Sequence, residues 1–184
     1  MSTHTMLTNA SASVLGMVAL GARSGYEIRR SAERSLRFFW ALGPPQIYAE
    51  LRRLEDAGLL RGSDDARGQR PRRTFEVTRA GARALREWLE RDEPAALELR
   101  DGELLRLFFA DALPRAAAAA RVEVVRRRSE RALAHFEAEI LPPADRTAAA
   151  GFEFPREVAR FGVELHEFIA GWCERLERRL GEER

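Results

Sequence analysis

The chain has 184 residues, enough for one large domain or two small ones with a real hydrophobic core. Alanine supplies 30 residues against 12 for valine and isoleucine together, a helix-forming balance that excludes an all-β fold. Every one of the 31 basic residues is arginine, and the net charge of +2 conceals a split: residues 1–91 carry 16 Arg against 10 acids and residues 92–184 carry 15 against 19, so the first half suits an anionic partner.

In chain order, residues 1–9 are mostly polar and expected to fray. Val14, Leu15, Val18 and Ala19 then recur at helical spacing up to Gly21, which predicts a short buried helix. The apolar run Val14 to Ala22 has the length of a signal-peptide core, but no basic residue precedes it and it falls far short of the ~20 residues that span a bilayer. Neither secretion nor membrane insertion is expected, and the chain reads as cytoplasmic. Ser24-Gly25-Tyr26-Glu27 has the S-x-x-E form of a capping box and starts a second helix at about Gly25.

Gly43-Pro44 opens a third helix, since proline suits the first helical turn, and Gly58 closes it. Its stripe of Ile47, Leu51 and Leu54 faces inward. Pro45, Ala49, Arg52 and Asp56 lie opposite, with Gln46, Tyr48 and Arg53 on the shoulders. From Leu59 the period changes: Leu59 to Arg61 and Arg73 to Val77 read as strands of a hairpin whose connection, Asp64 to Pro71, is rich in charge. Thr78 caps a fourth helix carrying Ala82, Leu85, Trp88 and Leu89 on one side and ending before Pro94.

Three helices, a hairpin and a helix within about 80 residues make a winged helix-turn-helix, in which the third helix reads DNA and the hairpin is the wing. Arg52 and Arg53 suit bidentate contacts to guanine or to phosphate, Gln46 suits adenine, and Pro45 begins the outward face. Tyr48 has two readings: a base contact, or a ring packed on the second helix with its hydroxyl toward a phosphate. Arg67, Arg70, Arg72 and Arg73 crowd the wing, where four guanidinium groups on a protruding turn suit a minor groove or phosphates. Tyr26, Arg29 and Arg30 are candidates for clamping the DNA backbone.

Ser24 to Ile28, Ile47 to Leu59 and Phe75 to Gly81 resemble the PadR family of bacterial transcriptional regulators. Tyr48, Leu51, Leu54, Glu55, Gly58 and Leu59 fall on its Y-x-x-L-x-x-L-E-x-x-G-L pattern, and Thr78 and Gly81 on its T-x-x-G. Phe75 stands where the family usually has tyrosine, and Pro44-Pro45 replaces small polar residues at the start of the reading helix. Arg100 to Ala110 resembles the first helix of the family's larger, helical C-terminal domain, which implies the long-tailed branch.

Beyond it, Val122, Val125, Leu133, Phe136 and Ile140 follow helical spacing, as do Val158, Phe161, Leu165, Phe168, Trp172, Leu176 and Leu180, on either side of Pro142-Pro143. The last helix, from Pro155 to about Leu180, would run about 38 Å, a length that calls for a partner. The expected architecture is mainly α with one small β-hairpin: a winged helix-turn-helix over residues 10–93 and a helical dimerisation domain over residues 94–184.

Catalytic and metal chemistry find no support. The sequence has no Gly-rich phosphate loop, no C-x-x-C and no serine elbow, and one cysteine and three histidines are too few for a structural zinc site. His135 and His166 lie on helices with aromatic neighbours, and Cys173, beside Trp172, is expected to pack. The aromatic residues of the second half read either as core and dimer seam or as an effector pocket. Because several PadR-like regulators sense small aromatic or drug-like molecules, the resemblance implies a pocket drawn from Trp88, Phe108, Phe161, Phe168 and Trp172. The expected protein is a homodimeric, ligand-responsive repressor that binds double-stranded DNA, without cofactor or membrane. The alternative is a helical protein-interaction adaptor that has lost DNA binding.

Overall fold

The computed structural model of the protein describes residues 6–65, 72–92 and 97–182. The chain divides into two compact units, Met1–Pro94 and Ala95–Arg184.

The first unit runs α1 (Asn9–Ala19), α2 (Gly25–Ser35), a 3-10 turn (Leu36–Phe38), α3 (Pro44–Asp56), β1 (Leu60–Asp65), β2 (Arg72–Val77) and α4 (Arg79–Leu89). It is tied down earlier than its polar start suggests. Leu7 is buried, and the Thr8 hydroxyl caps α1 by accepting from the Ser11 amide at 3.2 Å. The fraying expected for residues 1–9 therefore fails from Leu7 onward, because one apolar side chain inserted in the core outweighs its polar neighbours.

Each helix starts where capping chemistry allows. At α2 the Ser24 hydroxyl accepts from the Glu27 amide at 3.3 Å, and Glu27 returns the favour one residue early, accepting from the Arg23 amide at 2.7 Å. Pro44 occupies the first turn of α3, where no amide hydrogen is needed, and Gly58 leaves it with φ +68°, a left-handed value that only glycine adopts cheaply. Val14, Leu15, Ile28, Ile47, Leu51, Leu54, Leu60 and Phe75 then close one core beneath the three helices and the hairpin.

The hairpin is longer than expected. Both strands have six residues, in antiparallel register from Leu60 opposite Val77 to Asp65 opposite Arg72. Asp64 and Asp65, predicted as loop, belong to β1, and the ion pair of Asp64 with Arg73 opposite it offsets the poor strand propensity of aspartate there. Phe75 is buried, so its ring is a core group.

The buried face of α4 also differs from the predicted one. Ala80, Ala84, Leu85 and Trp88 pack on the core, whereas Ala82 and Leu89 are exposed. The cause is Gly81: a Cβ there would run into the Leu59 carbonyl, so the helix backbone lies directly on the chain before β1 and sets the rotation of α4.

The second unit runs α5 (Gly102–Phe108), a 3-10 turn (Ala110–Ala112), α6 (Arg115–His135), a π turn (Phe136–Ile140), α7 (Leu141–Ala149) and α8 (Phe154–Glu182). Helices α6 and α8 are antiparallel. Arg115 at the start of α6 donates to the Leu180 carbonyl at 2.8 Å, and Phe136 at its end fills the space over Gly162, where a Cβ would collide with the ring. Val122, Val125 and Cys173 are buried between these helices, and Phe136, Ile140, Ala144 and Ala159 form a second small cluster.

Pro142 and Pro143 sit in the first turn of α7 and do not break the chain there: α6, the π turn and α7 run on as helix, and the break predicted at the prolines comes after α7, where Gly151 has φ +95°. On α8, only Trp172, Leu176 and Leu180 of the predicted stripe pack inward, beside Ala159, Val163, Ile169 and Cys173. Val158, Phe161, Leu165 and Phe168 lie on the exposed side. Among the described residues no helix is long and apolar enough to cross a membrane.

Candidate nucleic-acid interface

The reading face is built by the burial of its opposite. With Ile47, Leu51 and Leu54 inside the core, Pro45, Gln46, Tyr48, Ala49, Arg52, Arg53 and Asp56 are all exposed on α3. By sequence α3 carries two arginines and three acids, which would make a poor anion-binding surface. The structure removes two of those acids from the outward face. Glu50 accepts from the Ser11 hydroxyl of α1 at 2.6 Å, and Glu55 accepts from the Gly62 amide of β1 at 3.2 Å. Arg53 keeps a loose contact to Glu50 at 3.6 Å, while Arg52 has no ion pair among the described residues. The exposed cations therefore outnumber the one carboxylate, Asp56, left beside them.

Tyr48 joins α3 to the start of α2. Its ring lies against Gly25, where a Cβ would collide with it, yet the residue is 45% exposed. Of the two readings of Tyr48, the packed one describes its ring. Beside it Tyr26 is exposed, with the Arg29 guanidinium 5.6 Å from its ring centre; Arg29 also pairs with Glu33 at 3.3 Å. Arg30 is exposed.

Of the wing arginines, Arg67 and Arg70 lie outside the described residues. Arg72 is placed by its backbone in the last rung of the hairpin, opposite Asp65. Arg73 points back toward α3. Its Nη2 and Nε donate to the two Glu55 oxygens at 2.5 and 3.3 Å, and its Nη1 donates to Asp64 at 2.9 Å. Glu55, and after it Asp64, hold the Arg73 guanidinium more firmly charged than an ordinary arginine. Glu55 is part of the quoted sequence pattern, yet nothing in the order of residues reveals this partner 18 positions away; Gly62, an unpromising residue for a strand, is the only local sign. Arg61, on the other face of the wing, pairs with Glu76 at 2.6 Å.

The residues expected to line an effector pocket do not form one cluster within either unit. Trp88 packs on the core of the first, while in the second Phe108, Phe161 and Phe168 are exposed and Trp172 belongs to the α6–α8 seam. Cys173 is buried there, and burial pushes its thiol up, away from the thiolate that redox sensing requires.

Residues 14–87 match the transcriptional regulator PadR-like family, and residues 99–181 match the family described as virulence activator alpha C-term. Each match takes in less than half of the chain, and over the first of them the chain is similar to PadR-like regulators. It is 30% identical over 103 residues to the negative transcriptional regulator PadR of Bacillus subtilis (strain 168); the match takes in 55% of this chain and 57% of that protein, so it spans little more than half of the relative's length. Two solved structures of Bacillus subtilis PadR share the fold over almost the whole chain. One, in complex with operator DNA, has a TM-score of 0.82 at 21% identity and covers 95% of this chain and 98% of that one. The other, in complex with p-coumaric acid, has a TM-score of 0.73 at 21% identity and covers 93% and 94%. The fold is thus that of winged-helix regulators, mostly helical with a two-stranded wing. The family matches meet between residues 87 and 99, around the point where the two compact units divide.

Proposed function

We propose that this PadR-like protein is a cytoplasmic, sequence-specific DNA-binding repressor that acts as a homodimer, responds to a small aromatic or drug-like effector, and catalyses no reaction. The observation that carries this reading is the outward face of α3, cleared of Glu50 and Glu55 and left with Pro45, Gln46, Tyr48, Arg52 and Arg53 exposed. Arg52 and Arg53 are placed to read guanine edges or phosphates, Gln46 to read adenine, and Pro45 to lie against the groove wall. Tyr26, Arg29 and the Tyr48 hydroxyl reach the flanking phosphates. Arg67, Arg70 and Arg72 supply the wing's contact to the neighbouring groove.

The homodimer reading is supported by the exposed Phe161 and Phe168 of α8 and Phe108 of α5, and it would let paired reading helices meet half-sites about one helical turn, or a multiple of it, apart. The effector reading rests on the exposed Phe108, Phe161 and Phe168 of the second unit and on the p-coumaric acid complex of the Bacillus protein. An effector that binds the DNA-incompetent arrangement more tightly than the competent one would release the operator.

Selection of bound fragments from the genome of the producing organism, followed by a salt titration, tests the proposal. The expected result is one near-palindromic site bound with affinity falling steeply as salt rises. Absence of binding to any fragment at low salt would leave a protein-interaction adaptor as the better account.

A further inference from the structure

We infer that Arg73 is a positioning residue that fixes the angle of the wing against the reading helix, and that it makes no contact with DNA; the inference rests on the DNA-binding function proposed above. Phe75 donates its amide to the Arg23 carbonyl at 2.7 Å, so the Gly62–Phe75 rung is one in which neither amide points to the other strand. The Gly62 amide is left facing outward, and Glu55 of α3 accepts it at 3.2 Å. Glu55 thereby holds the outer edge of β1 to the helix.

Arg73 completes the tie from the other strand. It lies on the same face of the hairpin as Phe75 and Val77, and the guanidinium reaches Glu55 across the space over Gly62, gripping both carboxylate oxygens while its remaining nitrogen holds Asp64. That space exists because residue 62 has no side chain: a Cβ would meet the Glu55 carboxylate and come within 2.8 Å of Arg73 Nε and 2.9 Å of its Nη2. A planar fork on a carboxylate fixes direction as well as distance, which a lysine could not do.

The lever is long enough to matter. The Asp65–Arg72 rung lies three residues beyond Gly62, about 10 Å at ~3.3 Å per residue, so a tilt of about 10° would carry it by roughly 2 Å and take the wing out of register with its groove. Arg73 itself has two carboxylates against its one charge, so it offers no cation that would release counterions on DNA.

The experiment uses the full chain and the fragment selected from genomic DNA, with Arg73→Ala, Glu55→Gln, the double variant and Gly62→Ala. Gly62→Ala changes no charge and displaces only the flexible ends of Glu55 and Arg73. Each variant, the double one included, is expected to lose about tenfold in affinity, without additivity. The slope of log affinity against log salt should stay that of the parent. In all of them hydrogen exchange at residues 62–64 and 73–76 should speed up, while that of α1 and α4 stays unchanged. If Arg73 instead touches a phosphate, Arg73→Ala lowers the salt slope by about 0.9, Glu55→Gln binds as well as the parent or better, and the inference falls. If the parent protein binds no fragment, the functional proposal fails, and the exchange rates alone decide whether Arg73 and Glu55 hold the wing.

Discussion

The two units of this chain differ in what their longest helices do with apolar side chains. In the first, Ile47, Leu51 and Leu54 of α3, Leu15 of α1 and Phe75 of β2 all meet in one closed core, and what remains outside α3 is mostly polar. In the second, the inward residues of α6 and α8 form two small clusters, while Phe108, Phe161 and Phe168 remain 79%, 61% and 64% exposed. The first unit also leaves Phe38, Phe39 and Trp40 exposed, but in and after the 3-10 turn, whereas Phe161 and Phe168 lie along α8. The difference teaches that the long helix α3 of the first unit gives its large aliphatic side chains to its own core, whereas α8 of the second leaves an apolar face uncovered.

The largest effect that tests this contrast is in the first core. Leu51→Ala removes a fully enclosed side chain and is expected to cost about 2–5 kcal/mol in thermal or urea unfolding. The pair Phe161→Glu with Phe168→Glu should change the stability of the isolated subunit far less, yet turn a dimer into a monomer by light scattering. A parent protein that is already monomeric would break the comparison, since the exposed face would then have no partner copy.

A smaller effect separates the reading helix from its own surroundings. Arg52→Ala is expected to cost about 1–3 kcal/mol in operator binding and to relax the preference at one base pair, as measured with a panel of single-base operator variants. Uniform loss across the panel would assign Arg52 to phosphate.

The smallest effect belongs to the second unit. Asp101 caps α5, accepting from the Glu103 amide at 2.9 Å, and takes both nitrogens of Arg128 from α6. The Arg128 guanidinium, aided by the two backbone amides, holds the Asp101 carboxyl below its ordinary value near 3.8. A carboxyl depressed in the folded state contributes stability that is fully present above that ordinary value and is lost as pH falls through the folded one. The second unit should therefore weaken below about pH 4, and Asp101→Asn should remove this part of the pH dependence while lowering stability at pH 7. An identical acid profile for the two proteins, followed by circular dichroism, would remove Asp101 from this role.

Much of the first unit was legible because its signals are local. Ser24, Thr78, Pro44 and Gly58 mark helix ends through hydrogen bonds or backbone angles decided within a few residues, and Ile47, Leu51 and Leu54 mark the buried face of α3 by spacing alone. Leu7 was missed because a single apolar residue carries no period. The rotation of α4 was misread because Ala82 and Leu89 fit a helical stripe as well as Ala84 and Leu85 do, and the choice between them was made by the Leu59 carbonyl lying over Gly81. In α8, two apolar stripes run along one helix: Ala159, Val163, Ile169 and Cys173 face α6 and α7, and Val158, Phe161, Leu165 and Phe168 face away. Spacing detects an apolar face but not what lies against it.

By itself, then, the order of residues determined the helices, the hairpin, the inward face of α3 and the outward one, since each depends on propensity, capping or period within a stretch of some ten residues. Only the tertiary structure decided which charges face outward. Glu50 and Glu55 are turned inward to Ser11 and Gly62, and Arg73 is drawn to Glu55 from a strand 18 residues away. Ion pairs and hydrogen bonds act over a few ångströms, so a guanidinium is free or engaged according to what folding brings within that distance, and the sequence alone does not carry that distance.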